Sequence, residues 1–346
     1  MLLRVGLMVL RQALPSSAEA YAAEQRLEIT AAVAAVKRQW SRMGDDFDVS
    51  YRLIEPTILR ITDLAQARIA AGAQEYIPAV LEETGQRRSI ATAFDVDAGS
   101  LVGTAGDGMP TESLFYGAVT HAKSLVGAGA STSQALASSA SWLSTATGTL
   151  LSDTGRGSER LATMARPVTG FVRMLTPPSC SRCVILAGKR VKSSTPFLRH
   201  PGCDCRHIPA SESVAGDLTV DPGAYFDSLD EAGQIKLAGS RANAEAIHDH
   251  GADMNQIVNA YRKGSVRSAQ VFGKSIKYTT AGATRRGVGY KAMSRAGYAS
   301  KPTDVRVAGV RYSQARAPRL MPETIATIAT DRVDQERLLR LYGWVL

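Results

Sequence analysis

All four cysteines of the chain fall within 26 residues, as Cys180-x2-Cys183 and, after sixteen intervening residues, His200-x2-Cys203-x-Cys205. No other feature narrows the fold as much. Two short loops that each offer thiolate or imidazole ligands are what tetrahedral Zn²⁺ needs, because two ligands from each loop close the shell. Pro177-Pro178 stiffens the approach to the first pair, and His200-Pro201-Gly202-Cys203 makes a tight turn. An extended backbone then turns Cys205 to the same side as Cys203. Five side chains compete for four places. The first choice is Cys180, Cys183, His200 and Cys205, with Cys203 as the substitute; an all-cysteine set stays open, and His207, past the turn, is a weaker candidate. Lys189, Arg190, Arg199 and Arg206 are the cations expected to offset thiolate charge. A filled shell has no open position for water, so the site reads as structural, pinning strand to loop where the local core is thin. The competing readings are a metal-free set of buried thiols and a redox pair at Cys180 and Cys183. The redox reading asks for a βαβ setting that the flanking sequence does not offer.

A chain of 346 residues is long enough for two or three compact units. Apolar residues at 45% and charged residues at 21% exclude wholesale disorder. No run of about 18 apolar residues occurs, so a membrane-spanning helix is not expected. Met1–Leu14 is apolar but interrupted by Arg4 and Arg11, which fits an apolar arm or a first helical turn better than a secretion signal. The cysteines are therefore expected to stay reduced.

The formal charge of +9 is unevenly placed. Between Arg262 and Arg319 stand fourteen Lys or Arg against one acid, Asp304, so the remainder of the chain is mildly acidic. Such a block suggests an anionic partner, nucleic acid or an acidic protein face, with Arg262, Lys263, Arg267, Lys274, Lys277, Arg285, Arg286, Lys291 and Arg295 as the contact residues. The plainer reading is a solvated, flexible stretch that aids solubility.

Hydrophobic periodicity and punctuation suggest an α-rich α+β chain. A helical N-terminal domain spans 1–88 as a hairpin or bundle, opened by a capping box at Ser16 and Glu19, with a second helix after Pro56 that Gly72 and Pro78 should break. Residues 89–168 are Ser/Thr/Ala/Gly-rich, helical or linker. Residues 169–213 hold a strand at Thr169–Thr176 and the Cys/His knuckle, a small mixed α/β centre stapled by zinc. Short helices follow over 214–263, with capping boxes at Ser228 and Glu231 and at Asp253 and Gln256. A basic, partly flexible region covers 264–320, loosened by Gly282, Gly287 and Gly289, and a terminal helix covers 321–346.

Signals for catalysis are few. The sequence has no His-Glu-x-x-His and no Gly-x-Ser-x-Gly elbow. Gly273-Lys274-Ser275 ends like a phosphate loop, but Ser268 stands where its first glycine should be. His121 is isolated, and His248-x-His250 flanks Asp249 on a polar helix end, so both read as packing or surface residues.

The knuckle, with Cys180-x2-Cys183, Leu186-Ala187-Gly188-Lys189 and His200-Pro201-Gly202-Cys203-Asp204-Cys205, resembles the signature of Mu F-like minor head proteins of tailed bacteriophages. Phe226-Asp227-Ser228-Leu229, the run from Asp253 to Tyr261, Thr284-Arg285-Arg286-Gly287 and Leu320-Met321-Pro322-Glu323 resemble relatives in phages of actinobacteria. The resemblance covers about Phe171 to Glu323. It implies a minor capsid component of the virion head, assembled in the host bacterial cytoplasm and present in few copies near the portal. Implied partners are the portal or major capsid protein and the packaged phage DNA, with no membrane and no small-molecule substrate. Proteins of this kind sometimes occupy the genomic place of, or are fused to, a capsid maturation protease. A protease acting in head morphogenesis is thus the alternative, although no nucleophile and base can be named.

Overall fold

A computed structural model describes residues 14–167, 170–175, 177–195, 203, 205–214, 218–261, 264–284, 286–298 and 318–345. Of the candidate ligands, offsetting cations and polyanion contacts named above, Arg199, His200, Arg262, Lys263 and Arg285 lie outside them, as does the arm before Leu14. The chain divides into two units, Arg11–Ser179 with Ala187–Val220, and Asp221–Leu346 with Cys180–Leu186. Among the described residues no helix is long and apolar enough to cross a membrane.

The first unit is built on four helices. Helix α1 (Ser16–Trp40) is rich in Ala, Glu and Gln, which lose little rotamer freedom in a helix. Its start corrects the expected capping box. Pro15 occupies the cap position, and Ser16 and Ser17 donate through both backbone N–H and hydroxyl to the carboxylate of Glu83. Glu83 closes helix α2 (Phe47–Glu83), so one side chain ties the end of α2 to the beginning of α1. Desolvation alone would raise its pKa, but the four hydrogen bonds prevail and hold it down at about 2. With the folded value below the ordinary 4.5, this contribution is complete above about pH 4.5 and fades as pH falls toward 2. Glu83→Gln should therefore melt at lower temperature than wild type at neutral pH and converge with it near pH 2. A gap that persists unchanged in acid would refute the tie.

Helix α2 also corrects the expected break, since it runs on through Pro56, Gly72 and Pro78. An interior proline costs about 3 kcal/mol. Continuing past Pro78 keeps Val80 and Leu81 in the core, and full burial of such side chains is worth about 1.5–3 kcal/mol each. Gly72 is itself a packing residue, where a Cβ would lie 3.4 Å from the Tyr21 ring.

The Ser/Thr-rich region is helical over α3 (Thr111–Gly127) and α4 (Thr132–Met164), with the connection from α2 carrying two short 3-10 turns. Ser131 and Gln134 form a reciprocal capping box at the start of α4. Thr147, Thr154 and Thr163 donate to the carbonyls four residues back, so buried hydroxyls are satisfied within the helix. Small residues let the helices approach closely. A Cβ at Gly117 would meet the Trp142 ring at 2.7 Å, and one at Gly155 would overlap Gln25 of α1. One cluster joins Trp40, Tyr51, Ile58, Phe115 and Leu143; another packs Tyr21, Tyr76 and Ile77 against Val172 and Ile208.

Those last two residues belong to a three-stranded antiparallel sheet. Its central strand β1 (Gly170–Met174) pairs on one side with β2 (Arg190–Lys192) and on the other with β3 (Arg206–Pro209). A short helix α5 (Ser181–Ala187) lies between β1 and β2 in sequence.

The second unit begins with α6 (Pro222–Asp227), α7 (Glu231–Ala238), α8 (Arg241–His248) and α9 (Met254–Ala260). Asp230, not Ser228, caps α7 by accepting from Gly233 N, while the Ser228 hydroxyl turns back to the Tyr225 carbonyl. Asp253 caps α9, but Gln256 leaves the expected box and accepts from Arg319. The basic stretch then forms a hairpin, β4 (Val266–Val271) and β5 (Lys274–Thr279), followed by α10 (Val288–Arg295). Strand β6 (Arg319–Leu320) pairs with β5, and two helices, α11 (Pro322–Ile328) and α12 (Arg332–Leu341), replace the single terminal helix expected. Residues 299–317 of the stretch read as flexible lie outside the described residues.

Arg319 sits inside this unit with 1% of its surface exposed. Its guanidinium donates to the carbonyls of Tyr342, Ala281 and Gly343 and to Gln256 Oε1, and its carbon lies 3.6 Å from the Trp344 ring centroid. The glycines read as loosening the region are packing positions around it. A Cβ at Gly282 or Gly289 would stand 2.6 or 2.5 Å from Arg319, and one at Gly287 would overlap the backbone of Gly282.

Candidate metal centre

The Cys203–Pro209 segment is fastened to the helices of the first unit by buried polar contacts. Tyr76 on α2 donates to the His207 carbonyl at 2.8 Å, and Gln86, just past α2, donates to the Pro209 carbonyl and accepts from Ser211 N. On α4, Glu159 is fully buried and accepts from His207 N at 3.1 Å; its Oε2 is also 2.9 Å from His207 Nδ1. Arg206 Nε lies 3.9 Å from the other Glu159 oxygen. Burial pushes the His207 pKa below its usual value, outweighing the Glu159 hydrogen bond. His207 is thus committed to Glu159 through Nδ1.

One turn earlier on α4, Arg156 pairs with Asp153 at 3.0 Å and donates to the carbonyls of both Cys203 and Cys205. Burial lowers its pKa, with Arg206 adding to that effect, while Cys203 and Glu159 act in the opposite sense. The cations named from sequence stand differently. Lys189 is exposed, Arg190 donates to the Ala210 carbonyl and approaches Glu212, and Arg206 turns to Glu159. The guanidinium that holds the thiol-bearing segment comes from a helix more than 45 residues upstream. The only local sequence signal for it is the Asp153-x2-Arg156 spacing, an ordinary helical ion pair.

The ligand atoms of Cys183, Cys203 and Cys205 lie within 4.8 Å of one another, all three residues buried. Sulfurs sharing a tetrahedral zinc at about 2.3 Å each would stand about 3.8 Å apart, so the three thiols are close enough to hold a metal ion. Cys180, half-buried, is not part of this group, and His200 lies outside the described residues. Cys203, ranked below Cys205 from spacing, is brought in with it. Arg156, Arg173 and Arg206 are nearly fully buried; Arg156 pairs with Asp153, and Arg206 approaches Glu159.

The remaining histidines have other surroundings. His248 Nδ1 is 2.7 Å from Asp249 Oδ1 at the surface, which raises the His248 pKa chiefly through that hydrogen bond. His121 Nε2 lies 3.3 Å from Ser138 Oγ, and its ring stacks near Trp142. Among the described residues no carboxylate hydrogen-bonds to His121.

Of the basic residues named as polyanion contacts, Arg267, Lys274, Lys277, Arg286, Lys291 and Arg295 are exposed. Lys277 approaches Glu323 at 3.4 Å. Lys291 and Arg295 line a groove beside α10 together with Arg340. Compared with known proteins, the chain matches no family profile, no curated protein sequence and no solved structure.

Proposed function

We propose that this protein is a minor structural component of a tailed-phage head, of the Mu F-like kind, with a zinc-stapled knuckle and a basic C-terminal unit that touches packaged DNA. The observation that carries the reading is the buried group of Cys183, Cys203 and Cys205 at the positions of the resembling signature. Zinc is favoured over other ions because thiolates select soft metals and a closed thiolate shell has no use for redox or open coordination. His200 would then be the fourth ligand, with Cys180 as the alternative.

The chemistry is structural: a saturated shell binds no water and activates no substrate. In this reading the helical first unit docks on portal or capsid protein, and the acid-free stretch from Met254 to Thr303 faces DNA. The test is quantitative mass spectrometry of purified virions from the phage encoding the chain. Incorporation at a few copies per head is the expected result, and its absence from virions would overturn the assignment. The protease alternative draws on the His121–Ser138 contact. Under it, Ser138→Ala would leave capsid subunits untrimmed; normal subunit mass in that variant would exclude that pair.

A further inference from the structure

The tip of the β4–β5 hairpin carries two costs that folding does not require. Val271 pairs with Lys274, so Phe272 and Gly273 form a two-residue turn in which both residues have positive φ, 49° and 75°. Such turns favour Asn-Gly because a bulky side chain is strained in the left-handed region. Phe272 is the one non-glycine residue with positive φ among the described residues. It is also fully exposed, with Val271 beside it 44% exposed. A strained, solvated aromatic at a loop tip is a stability cost that points to a contact with something outside the chain.

The surroundings indicate what that something is. No acidic residue occurs between Asp253 and Asp304, whereas Lys274 stands at the tip, Arg267 lies on the same face near the open end of the hairpin, and Lys277 lies on the other face. An apolar protein groove would be matched by an apolar hairpin. A polyanion with flat apolar faces, which is to say nucleic acid, matches cations on the arms and an aromatic ring at the end.

We propose that the β4–β5 hairpin is a DNA-contacting finger whose Phe272 ring stacks on, or wedges between, bases while Arg267 and Lys274 engage phosphates. This rests on the DNA contact in the functional reading above and adds to it an element, a contact mode and a residue that no charge count could indicate. Phosphate contacts alone would confer affinity without base contact; the ring supplies a sequence-tolerant apolar term, because every base has a π-face.

The experiment is fluorescence anisotropy with the full chain, titrating labelled duplex and single-stranded oligonucleotides across a salt series. Wild type is compared with Phe272→Ala, Phe272→Trp, Phe272→Asn and Lys274→Ala. Phe272→Ala should weaken binding by about tenfold with the salt slope unchanged, and Phe272→Trp should restore it. Lys274→Ala should lower the salt slope by about 1. Phe272→Asn should bind as weakly as Phe272→Ala yet melt at higher temperature than wild type, since asparagine tolerates the left-handed turn. Preference for single strands would identify stacking on exposed bases, and preference for duplex would identify a wedge. Equal affinity of Phe272→Ala and wild type overturns the finger while leaving the DNA reading standing. If that variant binds DNA normally but is lost from virions, the ring serves a protein contact and the proposal fails. Wild type that binds no DNA even at low salt removes the DNA contact itself.

Discussion

Serine at Cys183, Cys203 or Cys205 should abolish zinc binding, taking the metal content of the purified protein from about one ion per chain to background. Ligation by structural zinc sites is worth about 10–16 kcal/mol in small zinc-folded peptides. That rivals the whole stability of a typical domain, about 5–15 kcal/mol, so the knuckle should come apart with the metal. The loss should be local. The cluster around Ile58, Phe115 and Leu143 draws on α2, α3 and α4 without the knuckle, so far-UV circular dichroism should keep most of its helical signal. Protease sensitivity should appear within the segment from Pro177 to Pro209. Arg156 deepens the effect: with the thiolates gone, a buried guanidinium keeps Asp153 but loses the ordered carbonyls of Cys203 and Cys205. Elemental analysis of the three variants beside Cys180→Ser and His200→Gln also sorts the fourth ligand, since only one of the latter two should lose metal. Full zinc content in Cys203→Ser and Cys205→Ser alike would end the structural-site reading.

Arg319→Met should destabilise the C-terminal unit by about 3–5 kcal/mol, in the range seen when a buried, fully bonded charged group is lost. The arginine joins parts of the chain that are far apart in sequence: the Gln256 side chain, the Ala281 carbonyl and the carbonyls of Tyr342 and Gly343. Methionine fills much of the volume but leaves those acceptors buried without a donor, at about 1–3 kcal/mol each if none relaxes. Arg319→Lys should recover only part of the loss, because an ammonium cannot present a planar fork to several carbonyls while lying over the Trp344 ring. Burial pushes the arginine pKa down to about 10, which leaves it charged at neutral pH. Urea unfolding followed by tryptophan fluorescence reads the change. A midpoint within error of wild type would show that the acceptors find other donors.

Much of the first unit was legible from residue types and spacing. The Ala/Glu/Gln-rich run after Pro15 is a helix, because rotamer entropy acts within one turn of chain, whereas the Ser131–Gln134 box that opens α4 stood unread in the Ser/Thr-rich stretch. Local rules misled where a distant partner outbid them. Ser16 satisfies its donors on Glu83 rather than on Glu19, and α2 ignores Gly72 and Pro78 because its buried stripe continues past both.

The sequence by itself determined that thiols would gather: Cys-x2-Cys and Cys-x-Cys within 26 residues leave short loops few other ways to close, and loop closure over so few residues costs little entropy. It determined equally that an acid-free block would present cations. The tertiary structure decided which thiols meet, that Arg156 and Glu159 from α4 secure the segment carrying two of them, and that the glycines of the basic stretch make room for Arg319. It also decided that Phe272, one apolar residue among many in sequence, stands fully in solvent at a strained turn. These are matters of burial and of contacts between residues tens of positions apart, and neither quantity has a local signature in the chain.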